Sequence, residues 1–179
     1  SLGNWQLNRA EEKRALQQHF IQQSAKLPLT EDELLAADFE TSKDRYIHSA
    51  RRVALSGSYL NEQNVLLDNQ IFNGRVGYQV LTPFVTELGN TFLVNRGWLA
   101  GTPDRKIPEI EVVAGVVDIV ATVYQQVGET VVLQEDTLRA TTPLLVQRVV
   151  IDQFNQLWGS EMFELELRLQ QGFPGALDI

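Results

Sequence analysis

The chain has 179 residues, no cysteine and a formal net charge of −8. Its 44% hydrophobic and 21% charged residues describe a folded domain with a real core rather than a disordered segment. The acidic balance excludes a general affinity for nucleic acid, whose phosphates need a basic surface, and the lack of cysteine excludes disulfides, thiolate metal sites and cysteine nucleophiles.

Residues 2 to 26 read as a helix. Leu16 and Phe20 stand at i, i+4, Glu11 and Arg14 at i, i+3, and Trp5, Arg9 and Lys13 form a second stripe. Two readings of that stripe weigh equally: a tryptophan packed on a sheet, or an aromatic ring at a membrane–water boundary beside long cationic chains. Pro28 stops the helix, and Thr30 with Glu33 make a capping box for a short helix ending near Ala37. The chain opens on SLGNWQLNR, helical at once and uncapped, as expected of a piece excised from a longer protein.

From residue 45 the period becomes two. Val53, Leu55, Gly57 and Tyr59 lie on one face of a strand, and NVLLDNQIF and RVGYQVLTPFVT flank Asn73-Gly74, a hairpin signal. NTFLVNRGWLA follows the turn Leu88-Gly89-Asn90, and GTPDRKIPE leads into a long strand over residues 111 to 126, too β-branched and too interrupted by Asp118 for a membrane helix. TVVLQ is a further candidate strand and PLLVQRVV is a strand. Asp152 is expected to cap a helix, DQFNQLWG, ended by Gly159. FELELRLQQ alternates strictly, with Phe163, Leu165, Leu167 and Leu169 on one face. These elements predict a single α+β domain: a curled antiparallel sheet or small β-barrel of about seven strands in mostly sequence-adjacent order, with an N-terminal helix packed on it and a short helix before the last strand.

His19 and His48 have no metal-like spacing; no glycine-rich phosphate loop joins a strand to a helix, and there is no G-x-S-x-G elbow. A hydrolase would have to assemble a carboxylate pair from distant positions. Lys43, Arg45, His48, Arg51 and Arg52 form a basic cluster that reads first as a solvated strand edge, then as an anion site. No catalytic residue and no metal site is assigned.

LVNRGWLAG poses a sharper problem. An unbroken strand puts Phe92, Val94, Arg96 and Trp98 on one face. A buried unpaired charge is very costly, so Arg96 is expected to reach a carboxylate such as Asp68 or Glu87 and fix the strand against the N-terminal helix, with Gly97 admitting a close neighbour on the other face. Alternatively, Arg96 and Trp98 present a paired cationic and aromatic contact surface.

Four stretches in order, Trp5-Gln6 with Arg9 and Lys13, Val53-Leu55-Gly57, Gly77-Tyr78 with Thr82 and Pro83, and Val94-Asn95-Arg96-Gly97-Trp98, resemble the surfeit-locus assembly factors of cytochrome c oxidase. The strong part covers residues 2 to about 101; Gln70 stands where that family commonly has arginine. The resemblance implies the domain between two membrane helices of an inner-membrane protein, facing the periplasm or the mitochondrial intermembrane space. It implies a non-enzymatic partner of the oxidase's catalytic subunit and its heme-insertion machinery, acting at insertion of heme a. Neither His19 nor His48 matches the family's heme-ligating histidine, so no cofactor is assigned to this chain. The alternative is a soluble β-barrel module binding a small ligand in its mouth.

Overall fold

The computed structural model describes residues 2–37, 51–124 and 141–177. Helix α1 is Leu2–Ala25 and α2 is Glu31–Ala36; strands are β1 Arg52–Tyr59, β2 Val65–Phe72, β3 Arg75–Thr86, β4 Thr91–Ala100, β5 Val117–Tyr124, β6 Leu144–Val146 and β7 Glu166–Leu169, with helix α3, Ile151–Trp158, before β7. The side chains of Leu16, His19 and Phe20, the residues Lys43, Arg45 and His48, and the TVVLQ segment lie outside the described residues.

Five strands close a barrel in the order β1-β5-β7-β4-β3, with β3 returning to β1, and β2 and β6 continue the sheet beyond β3. The length of β3 makes this double membership workable. Its first part pairs with β2, from Arg75 to Leu81, and its last part with β1, from Phe84 to Thr86. Pro83 falls between them, where one neighbour has left and the next has arrived. Its carbonyl accepts from Leu60 N–H at 2.8 Å, and the amide hydrogen it lacks is not needed by a ladder.

The sheet is not the simple meander expected from chain order. β7 lies between β4 and β5, parallel to β4, and β6 runs parallel to β2. The expected strand over residues 111 to 126 begins only at Val117, because the chain from 101 to 116 is held as a loop over the barrel. PLLVQRVV contributes three strand residues, after which Gln147 turns to Asp68, donating at 3.2 Å. The N-cap of α3 is Val150 without a side-chain bond, so Asp152 sits in the first turn, where it favours the helix dipole rather than capping; Gly159 ends the helix in the left-handed conformation at φ 63.

The local signals act as physics requires. Asn73 and Gly74 both have positive φ, 50 and 74, the pair that a tight two-residue hairpin needs. Thr30 and Glu33 form the reciprocal capping box, and α2 drops Leu34 into the barrel beside Leu29. The barrel interior is filled: Val53, Leu55, Phe84, Phe92, Ile119 and Leu167 pack there with Tyr59 and Val94. A second core, around Leu93, Leu81 and Phe154, lies between the outer sheet face and α3. The tryptophan of the N-terminal helix is not packed on the sheet: Trp5 is 57% exposed, and none of the helix's described side chains is buried.

Gly57 marks the closure. It pairs with Thr86 of β3 and with Val117 of β5, and a methyl group there would overlap the Val85 carbonyl and the Thr86 backbone. Gly57→Ala is expected to lose at least about 3 kcal/mol in urea unfolding, since backbone rather than a flexible side chain must move. Gly3→Ala, with nothing near it, is expected to leave the midpoint unchanged.

Candidate functional site

The V-N-R-G-W stretch contains a β-bulge. Leu81 faces Asn95 and Val80 faces Gly97, which leaves Arg96 as the extra residue. Gly97 adopts φ +121, a conformation that suits glycine, and its N–H donates to the side-chain oxygen of Asn95 at 3.0 Å, pinning the bulge. The extra residue also resets the alternation. Phe92, Val94 and Arg96 turn inward as expected, whereas Trp98 pairs with Gln79 and lines an outer cleft with Asn95.

Arg96 is the largest fully buried side chain among the described residues, at 0% exposure. It reaches neither Asp68 nor Glu87, and it does not fix β4 to the N-terminal helix. Its Nε donates to the Gly175 carbonyl at 2.8 Å and its Nη2 to the Glu111 carbonyl at 2.9 Å. Its own carbonyl accepts from Leu177 N–H at 2.8 Å. The guanidinium lies 5.4 Å from the Tyr59 ring centre, and Tyr59 O–H donates to the Pro174 carbonyl at 2.8 Å. Asn61 completes the arrangement by exchanging two bonds with the Val113 backbone, at 2.9 and 3.1 Å. The loop before β5 and the segment after β7 are thereby clamped over the barrel end where β1 finishes. Burial lowers the Arg96 pKa, opposed by Tyr59 and Glu111; burial pushes the Tyr59 phenol up to about 12, with Arg96 pulling it back.

The outer face carries different chemistry. The Asn95 amide donates to Gln79 Oε1 at 3.0 Å and to Glu166 Oε1 at 2.9 Å. The second Glu166 oxygen is 4.0 Å from Arg168, whose guanidinium lies 3.5 Å from the Tyr124 ring centre. Burial raises the Glu166 pKa, against the pull of Asn95 and then Arg168. Trp98 donates its indole N–H to the Gln70 carbonyl at 2.9 Å and packs 5.5 Å from Phe72; any side chain at Gly77 would overlap its ring. Because Gln70 serves through its backbone, its departure from arginine leaves this contact intact. Trp98, Phe72, Asn95, Gln79 and Arg168, with Gln70, border an open cleft of about 170 Å³.

Of the residues picked from sequence, the cleft unites Asn95, Gly97 and Trp98 over Gly77, with Arg96 behind them. Gly57 and Pro83 serve the barrel closure, and Tyr78 packs with Leu66 and Val80. Trp5, Gln6, Arg9 and Lys13 stand exposed on α1, with Arg9 4.9 Å from the Trp5 ring centre, apart from the strand cluster. Gln79, Glu166, Arg168 and Tyr59 join these groups with no sequence motif to mark them. Alternation in FELELRLQQ does place Glu166 and Arg168 on the face opposite the leucines, but only the parallel docking of β7 brings them to Asn95. Among the described residues no group of three or more His, Asp or Glu side chains could hold a metal ion.

The model of the SURF1 family matches residues 1–176. A SURF1-like protein of Dictyostelium discoideum is 34% identical over 111 residues, covering 60% of this chain and 41% of that protein. One from Rickettsia prowazekii is 29% identical over 110 residues, covering 56% and 38%, and one from Mycobacterium tuberculosis is 37% identical over 60 residues, covering 34% and 22%. The matched region spans less than half the length of each relative.

Arg96→Ala is expected to cost about 3–5 kcal/mol in urea unfolding, because two buried carbonyls lose a charged donor, and to expose the 170–177 segment to limited proteolysis. For Glu166 the linkage has the opposite sign to that of an ordinary surface carboxylate. With its folded-state pKa raised, the native protein binds more protons than the unfolded chain between the two pKa values, so stability falls as pH rises through that window. Urea midpoints measured upward from about pH 4 should show Glu166→Gln lacking that fall.

Proposed function

The chain belongs to the SURF1 family, and on that premise we propose that it is the extramembrane domain of a cytochrome c oxidase assembly factor, a non-enzymatic platform that contacts the oxidase's catalytic subunit during insertion of heme a. The family match over residues 1–176 carries this proposal. The protein is proposed to sit at the bacterial or mitochondrial inner membrane with this domain facing the periplasm or the intermembrane space. The exposed Trp5, with Arg9 over its ring, supports a position of α1 near a membrane–water boundary. No described helix is long and apolar enough to cross a membrane, so anchoring does not use these elements.

Among the described residues the barrel interior is filled by side chains, and α2 and the Arg96 clamp lie over its ends, which favours recognition on the outer walls over a ligand in a barrel mouth. The cleft at Trp98, about 170 Å³, falls below the roughly 300 Å³ at which pockets begin to enclose a small molecule, so it does not fit heme a. A platform role therefore rests on outer surfaces held rigid by a packed core.

Deleting the gene and measuring the heme a spectrum of isolated membranes tests the proposal. A lower heme a content, restored by the full-length gene, is the expected result. Normal heme a with normal oxidase activity would refute a role in maturation.

A further inference from the structure

The cleft beside Trp98 has unmet hydrogen-bonding capacity of one kind. Asn95 is saturated: both amide hydrogens and the oxygen are engaged. Gln79 uses only its oxygen, so its amide hydrogens have no acceptor among the described residues. Arg168, with its side chain 46% exposed, makes one long contact at 4.0 Å and keeps most of its donors. The polar wall thus offers donors, whereas the floor is aromatic. The indole of Trp98, with Phe72 tilted against it by 46° at 5.5 Å between ring centres, forms the plate, while the paired Ile71 and Val76 at the hairpin tip turn to the other face of the sheet. Donors beside an aromatic plate complement a carboxylate next to an apolar group. The volume decides the source: about 170 Å³, open on one side, holds one side chain of a larger partner better than a whole small molecule.

We propose that this cleft docks an acidic segment of a partner polypeptide, seating one aromatic or aliphatic side chain on the Trp98–Phe72 plate while a neighbouring carboxylate meets Arg168 and Gln79. The proposal deepens the platform role by naming the partner's chemistry, but its test is made in solution and does not depend on the oxidase.

The full chain, labelled with nitrogen-15, is titrated with the peptide Gly-Phe-Asp-Glu-Gly, blocked at both ends, and with its Asn-Gln counterpart. The acidic peptide is expected to shift the Trp98 indole signal saturably, and the neutral one to bind about fivefold more weakly. Arg168→Gln, on a side chain 46% exposed, is expected to weaken the acidic peptide by about fivefold and to leave the neutral one unchanged, whereas Arg168→Lys does not weaken the acidic peptide. An unshifted Trp98 signal, equal binding of the two peptides, or insensitivity to the charge at residue 168 overturns the proposal. N-acetylphenylalanine binding as tightly as the peptide overturns it too, since the cleft would then be a small-molecule site. A positive result with normal heme a in the deletion strain would leave the docking site standing and remove the oxidase role, so the two failures are distinct.

Discussion

A guanidinium with no access to water constrains most of what surrounds it. Removing a cation from water costs several kcal/mol even after the protein relaxes, and that cost is offset only where carbonyl or carboxylate oxygens are held at the right places. Around Arg96 they are the backbone carbonyls of Gly175 and Glu111, assisted by the face of Tyr59. Neutral carbonyls attract a cation less than a carboxylate does, but they belong to the main chain. Engaging Nε and Nη2 of Arg96 therefore fixes the path of two segments that have no regular structure of their own. A carboxylate partner would have offset the charge without organising either segment. The same guanidinium hydrogen-bonds to both, so loss of either carbonyl leaves a second buried donor unmet beside Nη1, which has no partner among the described residues.

The bulge that delivers Arg96 inward also delivers Trp98 outward. Five consecutive residues, Val94 to Trp98, thereby serve two sides of one sheet: a sealed side that holds the loop and the final segment, and an open side that presents an aromatic plate. Asn95 couples the two, because one side chain pins the Gly97 amide within the bulge and reaches Gln79 and Glu166 outside it. The positive φ of Gly97 links them as well, since most other residues there would strain the backbone and favour the unbulged register.

Much of this fold is legible in the sequence, and the parts that are not share a cause. Asn73-Gly74, Thr30 with Glu33, and the alternation from Val53 to Tyr59 are decided by residues within a few positions of one another, and each forms as local chemistry dictates. The bulge at Arg96 is not local: alternation on β4 looks unbroken until the partner register on β3 is known. The placement of β7 beside β4 is less local still, since nothing in FELELRLQQ states which strand it will join or in which direction. The strand anticipated from residue 111 failed for the opposite reason. Its residues have strand character, but Arg96 and Asn61 draw Glu111 and Val113 into the clamp before a ladder can form. Gly57 and Gly77 were visible as motif residues, yet their meaning, room for the Val85 backbone and for the Trp98 ring, exists only in three dimensions.

A barrel can act through its interior or through its walls. Here the interior is committed to Phe84, Phe92 and Leu167, so among the described residues the walls are what is open to recognition. Walls recognise well when they do not yield on contact, because ordering side chains and loops on binding reduces affinity. The groups around the cleft are held before any partner arrives: Trp98 by the Gln70 carbonyl and Phe72, Asn95 by three hydrogen bonds, and Arg168 between Tyr124 and Glu166. Glu166 limits how strongly the cleft attracts an anion, since its carboxylate already satisfies part of Arg168.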